Sequence, residues 1–235
     1  RGRSFYAALA AFFFLLVEGF IGAVLVKKQL VVDDASVSRA LVISIHLANT
    51  LLLTATATAT AWWIGDRRQE TPSRLGYRLL GAALLALILT NITGAITALG
   101  DTLFPVPPTL GAGLFARIRE DLTAGQHFLV QLRIVHPFVA SGTALFLLGV
   151  FTALRRQGSS QGRLLGWTAG VVFLQVGLGV LNIALAAPGW MQIVHLLVSQ
   201  GIWIMTVVAW LSAWPAGQAS AAASPLAKEW PASVS

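Results

Sequence analysis

The sequence predicts an all-α membrane protein of six transmembrane helices, and three observations carry the prediction. Its 235 residues are 56% hydrophobic and only 11% charged, against about 25% charged in an ordinary soluble domain. The apolar residues fall into blocks that reach the about 20 residues needed to cross a bilayer. The excess of basic residues gathers on alternate connections, all on one side. A soluble fold is excluded, because too little polar surface remains to cover its outside.

The six blocks are 5–26, 40–65, 79–99, 127–154, 164–187 and 190–214. The first contains a single charge, Glu18. A brief connection follows, in which Asp33, Asp34, Ser36 and Ser38 are candidate N-caps for the second block. The second block carries His46 and ends on Trp62 and Trp63, which with Trp210 and Trp214 read as an interfacial aromatic belt. In the third, Thr90, Asn91 and Thr93 read as polar links between helices, as does Asn182 in the fifth. The long connection after the third block opens on Pro105, Pro107 and Pro108. Its Leu110, Leu114, Ile118 and Leu122 recur at every fourth position, the mark of a short amphipathic surface helix. The fourth block holds Arg133 and His136, and Pro137 predicts a kink there. Only Ala187-Pro188-Gly189 separates the fifth block from the sixth, so those helices are antiparallel neighbours. Residues 215–235, rich in Ala, Ser and Pro, read as a disordered tail.

A net charge of +7 and a pI near 11.1 raise the question of nucleic acid, which the distribution of charge answers. On one side lie Arg1, Arg3, Arg67, Arg68, Arg74, Arg78, Arg155, Arg156, Arg163 and Lys228, against Asp66, Glu70 and Glu229. On the other, Lys27, Lys28, Arg39, Arg117 and Arg119 are balanced by Asp33, Asp34, Asp101, Glu120 and Asp121. The whole excess sits on one face, as the positive-inside rule requires of the cytoplasmic side. The partner it implies is a lipid bilayer and no nucleic acid. The absence of cysteine excludes disulfides, thiolate metal sites and cysteine nucleophiles. The sequence starts at Arg1 rather than Met, and its first block exceeds a signal-peptide core, which points to a truncated or processed chain.

The chain repeats itself. Glu18 is followed four residues later by Gly22, and Gln175 by Gly179. The next block in each case carries a histidine between apolar neighbours, His46 and His195. The first hairpin therefore corresponds to the last, and the third and fourth blocks have no counterpart ahead of the first.

Three of the four histidines, His46, His136 and His195, lie within membrane blocks, where an ionisable group is costly and marks function by default. Counting about 1.5 Å per residue from the outer ends puts His46 and His195 about 10 Å deep and His136 about 14 Å deep. Zinc would want three or four converging ligands, usually with carboxylate or thiolate, whereas haem needs one or two axial imidazoles and an apolar cleft. Facing helices of a bundle supply such a pair in His136 and His195. Gly142, Gly177, Gly179 and Gly201 would admit a flat macrocycle, or equally serve plain helix packing. His127 and Arg133, near the outer interface, are candidate propionate contacts; for Arg133 a snorkelling side chain is the alternative. Glu18 is either an acid that handles protons or orients substrate, or a carboxyl group bonded to a neighbouring helix. A neutral, hydrogen-bonded packing role stays open for each histidine taken alone.

The segments Gly22-Ala23, 31–42 (VVDDASVSRALV), His46-Leu47-Ala48-Asn49-Thr50, 127–137 (HFLVQLRIVHP) and 187–197 (APGWMQIVHLL) together resemble the haem A synthase family of membrane oxidases. The resemblance implies an eight-helix fold of two similar four-helix bundles, of which these six helices are the third to eighth. Residues 1–68 would then hold the second hairpin of an incomplete N-terminal half, and 76–214 the C-terminal four-helix bundle. It implies that His136 and His195 are the axial ligands of a haem b, and that His46 flanks the substrate haem. The family's other substrate-side histidine and its catalytic glutamate lie on its second helix. This sequence lacks that helix, so the catalytic residues stay unassigned, and the loop cysteines of some members are absent too. The implied reaction oxidises the C8 methyl of haem O to a formyl group, giving haem A for terminal oxidases. The implied partners are haem O, haem O synthase, cytochrome oxidase assembly factors and a second copy in a homo-oligomer, in a bacterial plasma membrane. The rival readings are a bis-histidine cytochrome b that only transfers electrons, and a haem-free carrier or scaffold whose histidines pack.

The charge asymmetry generates a first prediction: reporter domains fused in the 67–78 and 155–163 connections will report the cytoplasm. An external signal from either connection rejects this orientation.

Overall fold

The computed structural model describes residues 2–65, 73–105, 114–123, 125–159 and 161–214, and every regular element among them is helical. In order these are α1 (Arg3–Lys27), α2 (Val37–Ile64), α3 (Arg74–Leu103), α4 (Leu114–Asp121), α5 (Phe128–Leu132), α6 (Val135–Arg156), α7 (Gly162–Ala184) and α8 (Gly189–Ser212). Six spans are long and apolar enough to cross a membrane: α1, α2, α3, the α5–α6 unit, α7 and α8. The chain is therefore a multi-pass membrane protein, as composition predicts. The expected tail, and Leu110 of the expected surface helix, lie outside the described residues; α4 is the described part of that helix.

Helix ends follow capping chemistry. Ser36 is the N-cap among the four candidates ahead of α2: its hydroxyl accepts from the Arg39 amide at 3.1 Å. Asp34 braces Ser36 in turn, accepting from its amide and its hydroxyl at 2.9 Å each. Ser73 caps α3 by accepting from the Gly76 amide at 3.0 Å, so that helix starts five residues before its apolar block. The turn between α7 and α8 places two L-residues, Ala186 and Ala187, at φ of 59° and 54°. That left-handed geometry costs about 1 kcal/mol or more per residue; here the Ala187 amide closes the end of α7 on Asn182 O at 2.8 Å.

The fourth span is broken rather than kinked at Pro137. α5 ends at Leu132, Arg133 and Ile134 form a turn, and Pro137 sits in the first turn of α6. Proline lacks an amide donor, and its ring collides with the carbonyl four residues back, which here belongs to Arg133. The interruption falls where that collision would occur, and in the first turn of a new helix the missing donor does no harm.

α3 packs on α6 and α8, and α7 packs on the same two helices, so α6 and α8 stand on opposite sides of a four-helix ring. α1 and α2 pair closely, and α2 docks along α3 and α8. The interior is built from Leu80, Leu87, Leu147, Phe151, Leu165 and Val207, with Leu51 of α2 and Trp203 of α8 fully buried at the seam. Trp203 Nε1 donates to Leu51 O at 3.0 Å across that seam. At the basic end, Trp210 stacks on Tyr77 with ring centres 5.0 Å apart, and Trp214 meets Trp63, Tyr77 and Trp210 edge-on. The expected interfacial belt is thus partly a cluster that ties α2, α3 and α8 together.

Near the outer end, α5 lies so close to α3 that a Cβ on Gly100 would stand 2.8 Å from Leu129 O. Gly100→Ala must therefore displace backbone and should lower stability by about 1–3 kcal/mol. Gly170→Ala, with nothing within 4 Å of its Cβ position, should leave the melting temperature in detergent unchanged or raised. Equal behaviour of the two variants in thermal unfolding would show that the α3–α5 contact is not tight.

Candidate functional site

His136 enters the ring from α6 and His195 from α8, the two helices on opposite sides of it. Their ring centres are 6.4 Å apart and their planes are perpendicular, at 89°. His136 stands directly before Pro137, so the proline that breaks the span also sets where α6, and with it the imidazole, begins.

Each ring lies against a glycine of the neighbouring helix. A Cβ on Gly94 of α3 would come within 3.0 Å of His136 Cε1, and one on Gly179 of α7 within 3.3 Å of His195 Cε1. Of the glycines expected to admit a flat group, Gly179 makes such a contact; Gly142, Gly177 and Gly201 have nothing within 4 Å of their Cβ positions. Gly94 was not legible from sequence, since no spacing signal connects it with a histidine 42 positions on.

Every membrane histidine has a polar neighbour. His136 Nδ1 lies 3.1 Å from Thr93 Oγ1, whose hydroxyl donates to Thr90 O at 2.9 Å. His195 Nε2 lies 3.1 Å from Gln175 Nε2, which also donates to His195 O at 3.1 Å; His195 Nδ1 is buried with no hydrogen-bond partner. In the first hairpin, His46 Nδ1 lies 3.1 Å from Glu18 Oε1, and the two side chains are 31% and 20% exposed. Glu18 also accepts from Asn49 Nδ2 at 2.6 Å and from the Thr50 hydroxyl. Gly22 faces His46 Nε2 as Gly179 faces His195, its Cβ position 3.7 Å away. The repeat read from sequence is thus a repeat of contacts: residue 18 or 175 against the histidine, with a glycine one turn on beneath the ring.

The remaining polar groups of the ring link helices as expected. Thr90 Oγ1 donates to Thr143 Oγ1 at 2.8 Å, and Ser199 Oγ to Asn91 Oδ1 at 2.9 Å. Asn182 Oδ1, by contrast, is buried without a partner.

Arg133 neither snorkels nor points to open space. It is 9% exposed, with Nε 3.0 Å from Asp101 Oδ1 and Nη1 3.4 Å from Asp121 Oδ1. Nη2 donates to Gly100 O at 2.7 Å and to Phe104 O. A cation at the C-terminus of α3 meets both the terminal carbonyls and the negative end of the helix dipole. The guanidinium thereby joins α3, α4 and the α5–α6 break. His127 is the N-cap of α5, its Nδ1 accepting from the Leu129 amide at 3.3 Å. Its ring is stacked on Phe104 at 4.7 Å and tilted on Phe128 at 4.6 Å.

These features define a class: a multi-pass helical membrane protein whose four-helix ring carries a facing pair of imidazoles on opposite helices, beside a hairpin with a third. The model of the COX15-CtaA family, cytochrome oxidase assembly protein, matches residues 1–207, and the chain belongs to that family, the haem A synthase family. Two proteins from two strains of Thermus thermophilus are 40% identical to it over 207 residues, and both are named protoheme IX farnesyltransferase. The match covers 86% of this chain and 33% of each relative, so the chain spans about a third of the length of these curated relatives. No solved structure matches the chain significantly.

Removing the cation from the Arg133 cluster would leave two largely buried carboxylates facing helix-end carbonyls. Arg133→Met should lower unfolding stability by about 3 kcal/mol. Arg133→Lys should recover only part of that, because a point charge cannot serve four acceptors as a planar fork does. Denaturant titration in micelles checks both, and a wild-type midpoint in the Met variant would dismiss the cluster as a clamp.

Proposed function

We propose that this chain works as a haem A synthase, oxidising the C8 methyl of haem O to a formyl group for terminal oxidases. In this reading His136 and His195 hold a haem b, and His46 faces the substrate haem. The observation that carries it is the His136–His195 pair. Two metal–imidazole bonds of about 2 Å, with the half-widths of the rings, put the centres of axial histidines about 6 Å apart. The rings here are 6.4 Å apart on opposite helices, and Gly94 and Gly179 let each ring lie where a Cβ would crowd it. The donor set fits the group.

Haem held there supplies one-electron redox chemistry, tuned by its axial ligands and their hydrogen bonds. The chain's own residues bind and orient. Thr93 and Gln175 fix the two imidazoles, while α3 and α7 keep them apart from lipid. Turning a methyl into a formyl group with an oxygen atom from water releases four electrons and four protons, so it needs an electron acceptor; a haem b held by His136 and His195 would supply one-electron chemistry for that transfer. His46, held by Glu18, faces the substrate side, and His127 at the outer mouth is the proposed propionate contact. The division into a half-bundle hairpin within 1–68 and a haem b bundle over 76–214 belongs to the same proposal. So do a bacterial plasma-membrane location with basic connections inside, further helices ahead of the hairpin, and a homo-oligomer. The relatives' name, which describes farnesyl transfer to protohaem IX, supports haem O synthase as a neighbour in the pathway, beside cytochrome oxidase assembly factors.

Reduced-minus-oxidised spectra of the purified protein loaded with haemin test this reading. His136→Ala and His195→Ala should each abolish a bis-histidine spectrum, and His46→Ala should leave it nearly intact. Pigment extracted after incubation with haem O should contain the formyl product. Binding without conversion would favour an electron-transferring cytochrome b, and no haem uptake at all would reject both.

A further inference from the structure

Three membrane histidines meet three different side chains: a carboxylate, an amide and a hydroxyl. A neutral imidazole carries one proton, on Nδ1 or on Nε2, and the nitrogen without it holds the lone pair. The partner decides which. Glu18 Oε1 lies 3.1 Å from Nδ1 of His46; a carboxylate there only accepts, which draws the ring proton to Nδ1 and leaves Nε2 bare towards Gly22. Its two oxygens are steadied by Asn49 and Thr50 from α2.

Gln175 faces the other nitrogen. The same amide atom lies 3.1 Å from His195 Nε2 and 3.1 Å from His195 O. A backbone carbonyl only accepts, so the atom between them must be the NH2 group rather than the amide oxygen. It donates to Nε2, which therefore holds a lone pair, and the proton of His195 again sits on Nδ1. At His136, the single proton of Thr93 is taken up by Thr90 O, so its oxygen accepts from Nδ1–H. The third ring has the same tautomer.

We propose that Glu18, Gln175 and Thr93 are positioning residues that hold His46, His195 and His136 in one tautomer, with the proton on Nδ1 and the lone pair on Nε2. The exchange of acid for amide across the repeat follows from this. Residue 18 faces Nδ1 and must accept; residue 175 faces Nε2 and must donate. A carboxylate at 175 would pull the proton onto Nε2, whereas the Gln175 amide leaves a lone pair there that a metal could take only in place of that hydrogen bond. The value of the lone pair rests on the haem reading above; the tautomers do not.

Nitrogen-15 NMR of the haem-free full chain with labelled histidine reads each ring directly, since protonated and bare ring nitrogens resonate far apart. All three membrane histidines should show a protonated Nδ1 and a bare Nε2. A protonated Nε2, a doubly protonated ring or a tautomer mixture at any of them overturns the proposal at that site. Gln175→Glu should move the proton of His195 to Nε2 and weaken haemin binding by about 10-fold to 100-fold. An unchanged His195 tautomer in a folded Gln175→Glu protein overturns it. Should that charge prevent folding, Gln175→Leu and the isosteric Thr93→Val remove the partner without adding one, and each should release its own histidine into a tautomer mixture. Retention of the single tautomer in both would overturn the proposal. A wild-type chain with three Nδ1–H rings that takes up no haemin sinks the haem reading and keeps this one. Mixed tautomers in a chain that binds haemin sink this one alone.

Discussion

Hydrocarbon offers a polar side chain no partner, so a polar group that enters the membrane is costly unless another atom of the protein meets it. Lipid tails are as apolar as leucine, and burying leucine against leucine gives helices little preference over burying it in lipid. The polar contacts supply what packing alone does not: a preferred rotation for each helix. Thr90 against Thr143 turns α3 to α6, Asn91 against Ser199 turns α3 to α8, and Gln175 against His195 turns α7 to α8. Each such contact contributes about 0.6–2 kcal/mol. They are directional, and together they leave one arrangement in which His136 and His195 face each other.

The outer end of the ring obeys the same constraint in a different form. Pro137 interrupts the fourth span beside the C-terminal end of α3. Arg133 stands in the interruption and collects the C-terminal carbonyls of α3 along with Asp101 and Asp121. A break that would otherwise be a weak point becomes the place where α3, α4 and α6 are joined, three residues from His136.

Much of this could be read from the chain. The six spans were legible because length and apolarity suffice to define a span, and the repeat was legible because Glu18, Gly22, Gln175 and Gly179 share a spacing before their histidines. What the spacing cannot encode is rotation. Gly94 and Gly100 gain their importance from α6 and α5, elements that arrive much later in the chain, and nothing in their own neighbourhood sets them apart from Gly142 or Gly170. Arg133 was expected at an interface, and charge counting assigns Asp101 and Asp121 to an outer connection; the fold brings all three together. Trp203 gave one unused sign. A tryptophan in mid-span, far from the interfaces its indole prefers, needs a partner for its N–H, and it finds one on α2.

That indole bond has a mechanical meaning. α2 and α8 run in the same direction, and Trp203 fastens a side chain of one to a backbone carbonyl of the other, which acts as a pin against sliding along the common axis. His46 lies five residues ahead of Leu51 and His195 eight ahead of Trp203, which at 1.5 Å per residue puts the two imidazoles within about 5 Å of one level. A slip of a single residue along the seam would move one histidine by about 1.5 Å relative to the other. The seam therefore behaves as a vernier: it holds the relative height of two sites that belong to different hairpins and share no direct contact.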